Sequence, residues 1–139
     1  MPVLKLNRRF LPFEEACLEA VYSALPDPAK SLFVGQIESI NRVQRILDWK
    51  EVEFYTMCWR KVARPKEYRF ADLGEFRLAT LNIDGSGIVY PIIVWCVSGY
   101  VFSLESELPM KPLKSEKYPR VEALEIVANL DLLVGSPKP

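Results

Sequence analysis

EFRLATLNIDGSGIVYPIIVWCVSGYVFSLE, residues 75–105, decides the fold. Residues 75–83 and 88–97 are rich in β-branched and aromatic side chains, and Asp84-Gly85-Ser86-Gly87 between them has the composition of a turn. Ser98-Gly99 is a two-residue hairpin signal. It precedes residues 100–105, whose Tyr100, Phe102 and Leu104 fall on one face of a strand. Three consecutive strands joined by tight turns make an antiparallel meander. Pro91 lies inside the middle strand and has no N–H for a ladder, so it implies an edge position or a bulge.

Upstream, residues 51–59 (EVEFYTMCW) read as one more strand. Glu51 and Glu53 alternate with Val52 and Phe54 before both faces turn apolar, as in a strand entering a covered interior. It is expected to join an edge of the meander.

Two helices precede it. Over residues 12–25, Phe13, Cys17, Ala20, Val21 and Ala24 form an apolar stripe. Glu14 and Glu15 sit in the first turn, where the helix dipole favours anions, and Pro26 ends the helix. The spacing predicts a second helix over residues 28–47, capped by Asp27 and started by Pro28. Its buried face is Leu32, Phe33, Ile37, Ile40, Val43 and Leu47, with Glu38 and Arg42 paired on the wet side. The short connection makes the helices an antiparallel hairpin. That hairpin must cover one face of the sheet, because strands this apolar cannot be wet on both sides.

Downstream, residues 108–119 are a Pro- and Lys-rich loop. Residues 121–134 read as a short helix through Val121, Leu124 and Ala128, or as a strand around 124–127; the helix is preferred. The chain frays from about residue 135. The expectation is one α+β domain over residues 1–139: an N-terminal antiparallel helix hairpin packed on a four-stranded, mainly antiparallel sheet, with a short C-terminal helix or strand.

Composition narrows function. The 139 residues carry 18 Lys plus Arg against 18 Asp plus Glu, so no global field recruits nucleic acid or an anionic membrane. The longest apolar run, residues 89–97, is far short of the roughly 20 residues of a membrane helix. The first 13 residues interrupt their apolar character with Lys5, Asn7, Arg8 and Arg9, unlike a signal peptide. Cys17, Cys58 and Cys96 are odd in number, form no C-x-x-C and lie in apolar stretches. They read as free core thiols of a cytoplasmic protein. The layout is common among small bacterial proteins.

The sequence contains no histidine. The usual general base, the usual zinc ligand and every Ser–His or Cys–His pair are therefore missing. No phosphate-binding glycine motif and no metal spacing occur, so no cofactor and no metal are expected. Glu51 and Glu53 share one side of their strand about 7 Å apart. Acid–base work would also need a cleft, so a solvated face is the better reading of this pair, and of Glu105 and Glu107.

The richest local signal is residues 59–70. Arg60, Lys61, Arg64, Lys66 and Arg69 interleave there with Trp59, Tyr68 and Phe70. Trp, Tyr and Arg are the preferred anchors of protein interfaces. Trp59, Arg60, Lys61, Arg64 and Tyr68 are thus the candidate binding residues of a non-enzymatic protein-interaction domain, of which an inhibitor or immunity-like protein is one kind. The alternative is a small-ligand domain, or an enzyme using Glu, Asp or Tyr, with Gln36, Gln44 and Tyr55 converging on a pocket. The sequence leaves a homodimer through a free sheet edge open.

Overall fold

The computed structural model describes residues 4–6, 9–71 and 74–135; the tail after 135 lies outside the described residues. The fold is α+β. Helices α1 (Pro12–Ala24) and α2 (Ala29–Ser39) precede a strand pair, β1 (Arg42–Ile46) and β2 (Glu51–Tyr55). A small hairpin follows, β3 (Met57–Cys58) and β4 (Lys61–Val62). The meander is β5 (Glu75–Gly85), β6 (Ile88–Val97) and β7 (Tyr100–Glu105). Strand β8 (Arg120–Ile126) and a single helical turn, α3 (Leu130–Leu133), are the last elements of the described residues. The main sheet has six antiparallel strands in the order β1-β2-β7-β6-β5-β8.

The meander is as expected, with Ser86-Gly87 and Ser98-Gly99 at positive φ in its two turns. Pro91 has a strand neighbour on the β5 side alone, because β7 pairs with β6 only from Ile93 onward. Central strands exclude proline and locally unpaired edges tolerate it.

The sheet has six strands rather than four; one addition comes from the stretch predicted as the second helix and the other from the stretch read as helix or strand. The second helix ends at Ser39 instead of reaching residue 47. Ile40 is extended, and the Asn41 side chain binds the Met57 backbone twice: its Nδ2 donates to the Met57 carbonyl, and its Oδ1 accepts from the Met57 N–H, each at 2.8 Å. An Asn side chain that captures backbone groups competes with helix continuation. Leu47, predicted as core, is 66% exposed in the turn between β1 and β2. Glu38 accepts from the Lys5 N–H rather than pairing with Arg42.

Residues 120–126 form a strand, the second of the two readings that the sequence allows for 121–134. Between the pairs Asn82–Glu122 and Thr80–Glu125, two residues of β8 oppose one of β5. This β-bulge, with Ala123 at φ 52°, puts Val121 and Leu124 on one side at a spacing of three. The bulge therefore mimics a helical period.

The helices cover one face of the sheet, as expected. Phe13, Cys17, Leu18 and Val21 of α1 and Phe33 and Ile37 of α2 are buried with Val52, Phe54, Leu81, Ile83, Ile92, Val94, Cys96 and Leu104. Polar groups fasten this layer. Buried Glu14 accepts from Arg45 Nε at 2.9 Å and Nη2 at 2.6 Å, tying α1 to edge strand β1. Gln36 is buried in α2 and uses both ends of its amide. Its Nε2 donates to the carbonyls of Tyr68 (2.6 Å) and Gly99 (3.0 Å), and its Oε1 accepts from the Val101 N–H (2.8 Å). A Gln36→Leu change keeps similar bulk but strips these buried groups of partners. It is expected to cost at least about 2 kcal/mol in a urea unfolding titration.

Candidate functional site

The strand predicted over residues 51–59 breaks after Tyr55, and the chain turns into the β3–β4 hairpin. Cys58 pairs with Lys61, leaving Trp59-Arg60 as a two-residue turn. Of these two residues only Trp59 has a positive φ, 58°. Turns with positive φ at the first central position normally place glycine there, because a Cβ in the left-handed region costs roughly 1–2 kcal/mol. Here a tryptophan occupies that position and is 96% exposed.

The hairpin is nevertheless firmly mounted. Asn41 brackets Met57 as described, the Ala63 N–H donates to the Thr56 carbonyl at 2.8 Å, and Ser39 and Thr56 share a hydroxyl hydrogen bond of 3.0 Å. Cys58, Trp59, Val62 and Ala63, with Arg60 and Lys61, line a shallow apolar hollow of about 500 Å³. Val62 is 49% exposed. Arg9, Asn41, Arg42, Met57 and Trp59 line a second, polar hollow of about 290 Å³. The tip is thus an aromatic and apolar surface with basic side chains around it.

The five predicted binding residues divide. Trp59, Arg60 and Lys61 stand together, exposed, at the tip. Arg64 is turned away. Its guanidinium lies 5.7 Å from the ring centres of Tyr55, Tyr100 and Phe102 and donates to the Phe54 carbonyl at 3.4 Å. Burial against these rings pulls its pKa down. Arg64 is a latch that fastens the segment after the hairpin to the sheet. Tyr68 sits in a 3-10 turn, Lys66–Tyr68, with its ring against α2. A Cβ on Gly35 would lie 2.1 Å from that ring. Gly35→Ala is therefore expected to push Tyr68 off the helix and destabilise the protein by about 1–3 kcal/mol in thermal unfolding, without altering the tip. Phe70, the third aromatic of the segment, is fully buried, so residues 60–71 are more ordered than a plain connection.

Gln36, Gln44 and Tyr55 do not converge. Gln44 lies on β1 rather than on the second helix, and Tyr55 lies on β2. Gln44 and Tyr55 border a hollow of about 130 Å³, whereas the space beside Gln36 is about 10 Å³. The Tyr55 hydroxyl donates to Glu53 at 2.8 Å; burial first, and then this carboxylate, push its pKa up to about 12.

The cysteines also divide. Cys17 and Cys96 are buried, and burial pushes the Cys17 thiol up. Cys58, predicted as core, is exposed beside Trp59 because the hairpin leaves the sheet.

One grouping was not apparent from sequence. Glu51 of β2 stands directly opposite Glu105 of β7 on the sheet face that the helices leave uncovered. Burial raises the Glu51 pKa, and neighbouring Glu53 and Glu105 raise it further. Among the described residues none of these three carboxylates is in a salt bridge. Glu105 accepts from Trp95 Nε1 at 3.2 Å. No helix among the described residues is long and apolar enough to cross a membrane. Comparison with protein-family models, with curated proteins and with solved structures finds no match to this chain.

Proposed function

We propose that this chain is a non-enzymatic protein-interaction domain whose contact surface is the β3–β4 hairpin, with Trp59 as the anchor and Arg60 and Lys61 as its charged flank. The observation that carries this reading is an almost fully exposed indole held in a left-handed turn on a firmly bonded mount. The exposure does not benefit the isolated fold, and the left-handed backbone that closes the hairpin is one a tryptophan adopts only at a cost. Strained positions persist where the surrounding structure enforces them, and they cluster at functional sites. A rigid mount also removes much of the ordering cost of binding, and tryptophan and arginine dominate interface hot spots. A neutral chain with such a finger suits an inhibitor or immunity-like protein that inserts the finger into a partner's site. A cytoplasmic setting accords with its free thiols.

A photo-crosslinking residue placed at position 59, in the cells that make the protein, tests this. Position 118, where Tyr118 is 85% exposed away from the hairpin, serves as the control. A discrete protein adduct is expected from position 59 and not from 118. The same adducts from both positions, or none from 59, would remove the hairpin from the contact surface.

A further inference from the structure

The charges of this neutral chain are segregated. Around Trp59 lie Arg60 and Lys61, both exposed; Arg42, opposite Tyr55, borders both the tip and the edge of the uncovered sheet face. Around β2 and β7 the uncovered sheet face is acidic, flanked by Arg42 of β1 and Arg77 of β5. Glu51 and Glu105 are cross-strand neighbours, and Glu53 lies two residues along β2 on the same face. Like charges directly opposite one another on a sheet are destabilising, and no cation of the described chain is in a salt bridge with these three. Between the carboxylates and β5 the same face has an apolar floor. Ile93 pairs with Glu105, Trp95 pairs with Ser103 and lies 5.4 Å from the Arg77 guanidinium, and both Ile93 and Trp95 are half-buried. The hairpin offers an indole flanked by cations, and the sheet face offers an apolar floor rimmed by carboxylates. Within one chain the two are held apart: the hairpin leaves β2 just after Tyr55, about 14 Å along the strand from Glu51. Its bonds to Asn41 and Thr56 keep it there.

We infer that the hairpin's occupant is a second copy of this chain, each copy's Trp59 tip lying on the carboxylate-rimmed sheet face of the other about a two-fold axis. This rests on the hairpin being the contact surface and names the partner for it. In a two-fold assembly every hairpin-to-face contact occurs twice, so charge complementarity acts twice and both poles are covered together. An acidic partner protein would compete with the second copy for the same tip.

Sedimentation velocity on the full chain tests the pairing. The wild type is expected to dimerise at low salt and to dissociate as salt rises, because exposed charges are screened. Arg60→Glu with Lys61→Glu, and separately Glu51→Lys with Glu105→Lys, are each expected to weaken the dimer at least tenfold. An equimolar mixture of the two variants is expected to dimerise again, since each hairpin then meets a face of opposite charge. A wild type that stays monomeric at every concentration, a dimer indifferent to salt, or a mixture that stays monomeric would overturn the inference. Should a double variant fail to fold, as seen by circular dichroism, the wild-type salt titration still decides. A monomer whose position 59 crosslinks a different protein removes the second copy as occupant while leaving the hairpin as contact surface; a monomer with no adduct at 59 removes both.

Discussion

Arg45→Met is expected to destabilise the fold by about 3 kcal/mol or more at neutral pH, the cost of leaving one member of a buried pair without its partner. Glu14 is fully buried, and Arg45 supplies both Nε and Nη2 to it while its guanidinium also lies 5.3 Å from the Trp49 ring centre. Burial pushes the Glu14 carboxyl above its ordinary range; hydrogen bonds from Arg45 and from the Leu11 N–H pull it back only in part. The pH dependence follows from that direction. The native state holds this proton more tightly than the unfolded chain does. The stabilisation is therefore complete below the ordinary carboxyl value and is lost as pH rises through the raised, folded value. Without Arg45 the folded value moves higher still, so the loss extends further towards neutrality. Urea midpoints of wild type and Arg45→Met across pH should diverge as pH increases. Adding Glu14→Gln to Arg45→Met should recover most of the stability, since no buried charge then remains. A single variant that costs less than about 1 kcal/mol, with the same pH slope as wild type, would show that the pair contributes little.

Trp59→Gly is expected to separate stability from binding. Glycine relieves the left-handed strain of the turn, so stability should hold or rise by up to about 1 kcal/mol despite glycine's greater freedom in the unfolded chain. Loss of the indole should weaken the hairpin's complex about 30-fold, the equivalent of 2 kcal/mol. Thermal unfolding and calorimetric titration read the two effects on one variant. Opposite movement is the signature of a residue kept for contact at the expense of the fold. If both fall together, Trp59 supports the hairpin instead.

The meander was legible in the sequence because its alternation is local and its Ser-Gly turns have a single reading. The outer strands were not. Ile40 and Val43 continue a helical spacing from Ile37, and only the capture of Met57 by Asn41, across a gap in sequence, cuts the helix at Ser39. The bulge at Ala123 gave β8 a false helical period. The exposed grouping at the tip of the candidate site was legible because Trp59 and Arg60 form one turn and Lys61 follows them directly. Arg64 and Tyr68 had the same composition, but their fates depend on ring stacks and on Gly35, contacts between distant parts of the chain. The juxtaposition of Glu51 with Glu105 likewise requires knowing that β2 pairs with β7, which neither strand's own residues reveal.

Incorporation of 5-fluorotryptophan, followed by fluorine NMR, tests the central claim most directly. Trp49, Trp59 and Trp95 report separately, and of the three only Trp59 is exposed in the free chain. The probe is titrated with the protein that crosslinks at position 59, or with the chain itself by raising its concentration. The Trp59 resonance should move and lose its solvent isotope shift as the complex forms, while Trp49 stays unchanged. A complex that forms with the Trp59 resonance unmoved and still solvent-exposed would contradict the hairpin as the contact surface.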